Sequence, residues 1–349
     1  MMKHRKISIT IGLVISLIVL TSCNCNLLNK KYEVTYFEYF DTVTTIIGYE
    51  SNKKTFEKNI SIVKEELEIY NKLYDIYYEY NGVNNLCTIN KNAGIQAIQV
   101  DKKIIDLLQY AKYIYNITNQ MVNIAMGSVL KLWHDAREYS IQHPTDAYIP
   151  TKEELSYKSK HMDIEKIIID EEKSMVYIED EEIQIDVGAI AKGYATEQIA
   201  NRLKQMNVTS YVLDVGGNIK TIGNKKNSEK WTIGIKNPNL TSDQSNIQIV
   251  KVSNQSVVTS GSYQRYFTVN GTNYHHIISP ITLYPENNFT SVTVITDDSG
   301  LADGLSTALF NMSIYDGKRL IDNLNNVEAM WVDINYQITY SQNFLEYVT

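Results

Sequence analysis

Apolar and polar positions along the chain follow two different periods, and the places where the period changes divide it into elements. From Phe56 to Tyr74 apolar residues fall at Ile60, Val63, Leu67, Tyr70 and Tyr74, a three-to-four spacing that places them on one face of a helix. Ile104, Leu108, Ala111 and Tyr115 mark a second helix, and Met126, Val129, Leu130 and Trp133 a third. Thr151-Lys152-Glu153-Glu154 has the form of a capping box and predicts a short helix. Before the first helix the chain is extended and β-branched from Val34 to Gly48, with Phe40-Asp41-Thr42 as punctuation. Strands are predicted at 166–170, 175–179 and 183–187, with acidic turns between them. A helix with apolar positions at Ala195, Ile199, Leu203 and Met206 follows.

Beyond that helix the pattern turns mostly to strands, at 211–215, 218–222, 231–236, 247–252, 257–259, 263–269, 273–279 and 291–296. Asn270-Gly271 between two alternating runs signals a two-residue hairpin turn. Helices are predicted over 301–312 and 317–324, and a closing hairpin over 330–334 and 337–340. Strands joined by hairpins, with helices in separate blocks, indicate an α+β fold of antiparallel sheets rather than a doubly wound one. No internal repeat or Pro/Gly linker interrupts the chain, so 34–349 reads as one catalytic unit.

The first residues stand apart from this pattern. Lys3, Arg5 and Lys6 precede an apolar run from Ile7 to Leu20, shorter than the roughly 18 to 20 residues of a spanning helix. That predicts a signal peptide over 1–22. It ends in Leu20-Thr21-Ser22-Cys23, which resembles a bacterial lipobox and implies lipidation of Cys23, with a polar tether over 23–33. The mature protein is then expected on the extracytoplasmic face of the cell membrane. With 349 residues and 44% apolar content the chain can bury a large core. Its net charge of -7, without a basic stripe, argues against a nucleic-acid partner. Three cysteines are too few for a disulfide framework, and Cys87 reads as a lone thiol.

Candidate chemistry gathers in a few stretches. At Ile185-Asp186-Val187-Gly188-Ala189-Ile190-Ala191-Lys192-Gly193-Tyr194 a predicted strand enters a helix through small residues, so a ligand can approach the backbone. The first turn of that helix offers free N–H groups to a phosphate, with Lys192 as a point charge for the same anion. A tight turn with a solvated lysine fits the same letters. Asp214-Val215-Gly216-Gly217-Asn218 places two glycines at a strand end, as a turn or a ligand contact. Thr259-Ser260-Gly261-Ser262-Tyr263 and His275-His276-Ile277-Ile278-Ser279-Pro280 follow. In Asp303-Gly304-Leu305-Ser306-Thr307, Asp303 and Thr307 are four apart and share a helical face. A carboxylate and a hydroxyl are hard oxygen donors that suit Mg²⁺ when phosphate oxygens complete the shell. A dipole-compensating Asp303 and a back-bonding Thr307 are the structural alternative.

Taken together and in this order, these stretches resemble the ApbE family of FAD:protein FMN transferases, from about Phe40 to Thr307. The resemblance implies transfer of FMN from FAD to a threonine hydroxyl of a target flavoprotein, an electron-transfer or ion-pump subunit, with release of AMP. It implies FAD contacts at Phe40, Tyr80, Met121, Val122, Asn123, Asp186, Lys192 and Ile277. It also implies a Mg²⁺ site of the Ala189 carbonyl, Asp303 and Thr307. His276 is the candidate base for the threonine hydroxyl, with His275 on the opposite face of the strand. The chain departs from the family pattern at Asn123 for Asp, Ser128 for Pro, Ser279 for Asp and Leu283 for Gly. A Mg²⁺-dependent FAD pyrophosphatase would use the same residues. A flavin-binding lipoprotein without turnover would not need Asp303 and Thr307 together with a base, and a structural surface lipoprotein would need none of them.

Overall fold

The computed structural model describes residues 29–349; the predicted signal peptide and Cys23 lie outside the described residues. Strand β1 (Lys30–Tyr39) turns back into β2 (Thr42–Glu50) through Phe40 and Asp41, whose φ angles of 54° and 50° are those of a primed hairpin turn. Lys30 to Glu33 pair with Glu50 to Ile47, so the expected tether to residue 33 is too long: its last four residues belong to a strand. The long apolar stripe forms helix α1 (Lys53–Tyr74), capped by the Asn52 side chain on the Thr55 N–H. It is followed by α2 (Leu86–Lys91), β3 (Ile98–Gln99), α3 (Lys102–Ile117), α4 (Gly127–Gln142) and α5 (Lys152–Lys158). The capping box at Thr151 and Glu154 is formed in both directions.

Strand β5 (Met175–Ile178) pairs with both β3 and β4 (Ile167–Asp170) in a small sheet. Helix α6 (Ala191–Gln205) leads to β6 (Ser210–Val215), β7 (Asn218–Gly223), β8 (Trp231–Lys236), β9 (Asn246–Val252) and β10 (Ser256–Gly261). The hairpin of β11 (Tyr266–Val269) and β12 (Thr272–His275) turns through Asn270 and Gly271, with φ angles of 49° and 81°. Then come β13 (Phe289–Thr296), α7 (Ser299–Phe310), α8 (Ile314–Asp322), β14 (Glu328–Asp333) and β15 (Ile338–Tyr340).

The central sheet has eight strands in the order β1-β2-β6-β7-β10-β13-β14-β15, and its ladders are antiparallel. The two-residue period assigns its side chains to two cores. Leu213, Val215, Val258, Val292, Val294 and Trp331 face the helices α1, α3, α6 and α7. Val212, Val257, Ile295, Met330 and Val332 face the hairpin of β8 and β9, through Trp231, Ile233, Val250 and Val252. A third cluster joins Met126, Val129 and Trp133 of α4 to Phe267 and Val269 of β11.

One expected strand does not form. Residues 183–187 alternate in burial, but the segment is irregular chain between two turns, with a single bridge, Gln184 to Met126. The Asn90 side chain occupies the place of a neighbouring strand, accepting from the Ile185 N–H at 2.7 Å and donating to its carbonyl at 2.9 Å. The strand predicted over 273–279 likewise ends at His275.

Candidate active site

The start of α6 and the first turns of α7 meet at one glycine. A Cβ on Gly193 would lie 2.3 Å from the Ser299 carbonyl oxygen and 2.5 Å from Asp303 Cβ, so only glycine allows this approach. The Gly193 N–H donates to Asp303 Oδ2 at 2.8 Å, and the Lys192 ammonium stands 3.9 Å from the same oxygen and 3.4 Å from the Gly188 carbonyl. One turn along α7, the Thr307 hydroxyl is 3.5 Å from the Ser260 hydroxyl of β10, which also pairs with Ser306 at 2.8 Å. Burial raises the Asp303 pKa, against the Lys192 charge and the Gly193 hydrogen bond.

Beneath this contact α6 and α7 are tied again. The Glu197 carboxylate accepts from the Ser299 N–H at 2.9 Å and from the Lys220 ammonium at 2.8 Å. Lys220 on β7 is fully buried and also donates to the Asp297 carbonyl. No group of three or more His, Cys, Asp or Glu side chains able to hold a metal exists among the described residues. A cation at Asp303 would therefore rest on hydroxyl and carbonyl oxygens as well as the carboxylate, a donor set that suits Mg²⁺ rather than zinc. A buried carboxylate whose pKa is raised also gains most from a cation beside it.

Lys192 links the remaining groups. Burial raises the pKa values of both Asp186 and Asp303; the Lys192 charge opposes it at each, at Asp186 behind the Gly188 N–H and His134, and adds to the lowering of His276. Asp186 accepts from the Gly188 N–H at 2.8 Å and borders a cavity of about 340 Å³ lined by Tyr77, Asn90, Leu130 and His134. The Tyr77 and His134 rings pack there at 5.2 Å between centroids. His276 Nδ1 lies 3.2 Å from the Arg265 carbonyl, so it carries the proton and leaves Nε2 with a free lone pair. Crowding by protein moves the His276 pKa down from 6.5 to about 3, with the charges of Arg265 and Lys192 acting the same way. The residue is exposed, so its neutral imidazole is open to an incoming hydroxyl. His275 is different: its Nε2 lies 2.8 Å from the Glu286 carbonyl and its Nδ1 accepts from the Ile277 N–H, so both nitrogens are spent on structure.

The other sequence-predicted residues are distributed around this centre. Phe40 holds its N–H on Asn71 Oδ1 at 2.8 Å, and Arg265 donates to the Asp41 carbonyl at 3.3 Å. The Tyr80 hydroxyl donates to Asp75 at 2.7 Å. Ile277 and Val122 are buried, Met121 is partly so, and Ala189 lies at the turn before α6. The Asn123 amide is occupied by the Met162 carbonyl and the Ala125 N–H, which makes it a structural clasp.

Departures from the family pattern are absorbed locally. Ser279 Oγ takes the Ile281 and Thr282 N–H groups, and Ser128 donates to the Glu182 carbonyl. Leu283, where the family pattern has Gly, is held at a φ of 65°. The sequence marks Arg265 in the turn beside the His pair, but Glu197, Lys220 and the Tyr77–His134 pair escape it. A signal existed for two of them: Glu197 lies four residues after Gly193, and Lys220 sits inside an apolar strand.

A family model described as the ApbE family matches residues 32–331. Over 290 residues the chain is 30% identical to a FAD:protein FMN transferase of Klebsiella pneumoniae, covering 82% of this chain and 87% of that one. It is 28% identical to a protein of the same name from Treponema pallidum, over 75% of this chain and 74% of that one. Among solved structures it resembles the ApbE protein of Thermotoga maritima, with a TM-score of 0.80 and 26% identity over 92% of this chain and all of that one. The flavin transferase ApbE from Vibrio cholerae shares the fold, with a TM-score of 0.75 and 22% identity over 91% of this chain and 99% of that one.

Proposed function

Since the chain belongs to the ApbE family, we propose that it is a FAD:protein FMN transferase that moves FMN from FAD onto a threonine hydroxyl of a target protein and releases AMP. The observation that carries this reading is the cluster where α6 meets α7, in which the Lys192 ammonium stands 3.9 Å from Asp303 and 3.4 Å from the Gly188 carbonyl while the Gly193 N–H holds the same carboxylate. In the reaction the acceptor Oγ forms a bond to the FMN phosphorus as the bond to the AMP oxygen breaks. His276 Nε2 takes the hydroxyl proton, because Nδ1–H is held on the Arg265 carbonyl. Lys192 binds and orients the diphosphate, and Asp186 binds a polar edge of FAD; the Ala191, Gly193 and Tyr194 N–H groups at the start of α6, expected free, are taken by Val187, Asp303 and Ile190. The Ala189 carbonyl, Asp303 and Thr307 would hold Mg²⁺, which when bound supplies positive charge to the diphosphate oxygens. The target is a flavoprotein bearing an acceptor threonine.

Purified protein incubated with FAD, Mg²⁺ and a threonine-bearing flavoprotein should leave covalent flavin fluorescence on the acceptor band of a denaturing gel. Asp303→Ala should abolish it. Release of free FMN and AMP with an unlabelled acceptor would replace this reading with a FAD pyrophosphatase. Binding of FAD without either product would leave a flavin-binding protein.

Lipid anchoring through Cys23 at the outer face of the cell membrane is part of the same proposal. Its support is the short apolar run ending in Leu20-Thr21-Ser22-Cys23. No helix among the described residues is long and apolar enough to cross a membrane. Cys23→Ala should shift the protein out of the membrane fraction or leave it unprocessed; normal retention at the mature mass would refute the anchor.

A further inference from the structure

On the face of the central sheet turned away from the helices, a cavity of about 520 Å³ lies where β6 runs into β7. Ile219, Ile235, Leu240 and Val257 give it apolar walls, and Asp214 and Tyr263 bring polar groups to it. None of the residues that the family resemblance gives to FAD or Mg²⁺ lines it.

Three short links nevertheless tie the cavity to the reacting groups. Thr259 in its wall precedes Ser260, which reaches the Thr307 hydroxyl. Gln264 precedes Arg265, whose carbonyl holds His276. Thr42 follows Asp41, whose carbonyl accepts from Arg265. Along the strand β10 the cavity residue Thr259 and the site residue Ser260 point to opposite faces of the sheet, so the open end of β10 is where the two sides meet.

Its hydrogen-bonding groups are unspent. The Tyr263 hydroxyl is buried, with the Gln264 side chain beside it as a donor and no acceptor for its own proton among the described residues. Asp214 accepts from the Gly217 N–H at 2.9 Å through Oδ1, and among the described residues nothing donates to its other oxygen. Pairing of β10 with β7 stops at Val258 and Asn218, while β10 continues along β13 to Gly261. Thr259 to Gly261 thus lack a strand partner on the β7 side. Strand β8 supplies another wall and pairs with β9 alone among the described residues. An isolated donor, an isolated acceptor and an unpaired strand end are complementary to an extended peptide, whose backbone offers both N–H and C=O at strand spacing.

We infer that this cavity is where the target polypeptide docks, as an extended segment that pairs with the end of β10 and carries its hydroxyl past Ser260 toward the Lys192 cluster. The inference rests on the transfer reading above. With FAD and Mg²⁺ saturating, and the purified threonine-bearing flavoprotein as variable substrate, Tyr263→Phe and Asp214→Asn should each raise its KM about 3- to 10-fold, the value of one hydrogen bond. The turnover number and FAD affinity should stay within about twofold of wild type. In the intact enzyme the same acceptor should slow amide hydrogen exchange in Thr259–Gly261. Unchanged KM in both variants, or no exchange protection, overturns the assignment. A loss of FAD affinity at constant acceptor KM would make the cavity part of the nucleotide site, and overturns it too. A wild-type enzyme that labels no acceptor refutes the transfer reading itself, an outcome seen before any variant is made.

Discussion

Replacing Lys220 by methionine removes a buried cation and leaves its carboxylate in place. Lys220 has no exposed surface, and Glu197 is almost as deeply placed. After the change Glu197 keeps the Ser299 N–H and the ammonium of Lys204 at 3.9 Å, and the Asp297 carbonyl loses its donor. Breaking one side of a buried ion pair costs about 3–5 kcal/mol. The hydrogen bond and the cation that remain put Lys220→Met near the lower end, at about 3 kcal/mol. Urea unfolding should show a lower midpoint at unchanged slope, since the same surface is exposed in both proteins. Replacing the pair together, Glu197→Gln with Lys220→Met, should cost clearly less than the sum of the two single changes. A single-variant loss under about 1 kcal/mol, or strict additivity in the double variant, would mean that the pair does not bear on the docking of α7.

Gly193→Ala would force a methyl group within 2.3 Å of a backbone oxygen, so α6 and α7 must part; the Mg²⁺ concentration for half-maximal turnover should rise at least tenfold, and an unchanged value refutes the contact. Because the His276 pKa lies below its ordinary 6.5, the base stays neutral as pH falls from 7.5 to 5.5, and kcat should show no inflection near 6.5; a clear one there would contradict the neutral state. Burial alone would raise the Asp180 pKa, but hydrogen bonds from His161, the Glu182 N–H and Lys166 outweigh it and hold it at about 2. That stability, about 2 kcal/mol, is present in full above the unfolded carboxylate value near 3.9 and lost as pH falls through 2. Urea midpoints measured at pH 5 and pH 3 should converge in Asp180→Asn relative to wild type.

The helices were legible because the stripe of α1 is long and the cap of α5 explicit: α5 starts right after Thr151, whereas α1 begins at Lys53, three residues before the stripe, on the Asn52 cap. The primed turn at Asn270-Gly271 was equally plain. The segment at 183–187 misled because burial alternates there without a ladder, and the group that replaces the ladder is Asn90, 95 residues away. His275 and His276 were separable only in part. Alternation placed them on different sides, but not that His275 spends both nitrogens on backbone groups while His276 keeps one free. The letters brought Asp303 and Thr307 together through helical spacing. They did not reveal that Lys192 stands against Asp303, because that proximity depends on how two helices dock.

The hydrogen bond from Gly193 to Asp303 bridges 110 positions of sequence. A growing chain passes through a long interval in which the α6 half of the centre exists and the α7 half has not been made. Through that interval Lys192 and the Gly193 N–H have no Asp303 opposite them. Competence arrives abruptly, when the residues around 300 join the sheet and α7 seats on Gly193. If the protein is threaded unfolded across the cell membrane, as the N-terminal pattern implies, its nucleotide must be collected on the far side, from whatever supply of FAD that compartment maintains.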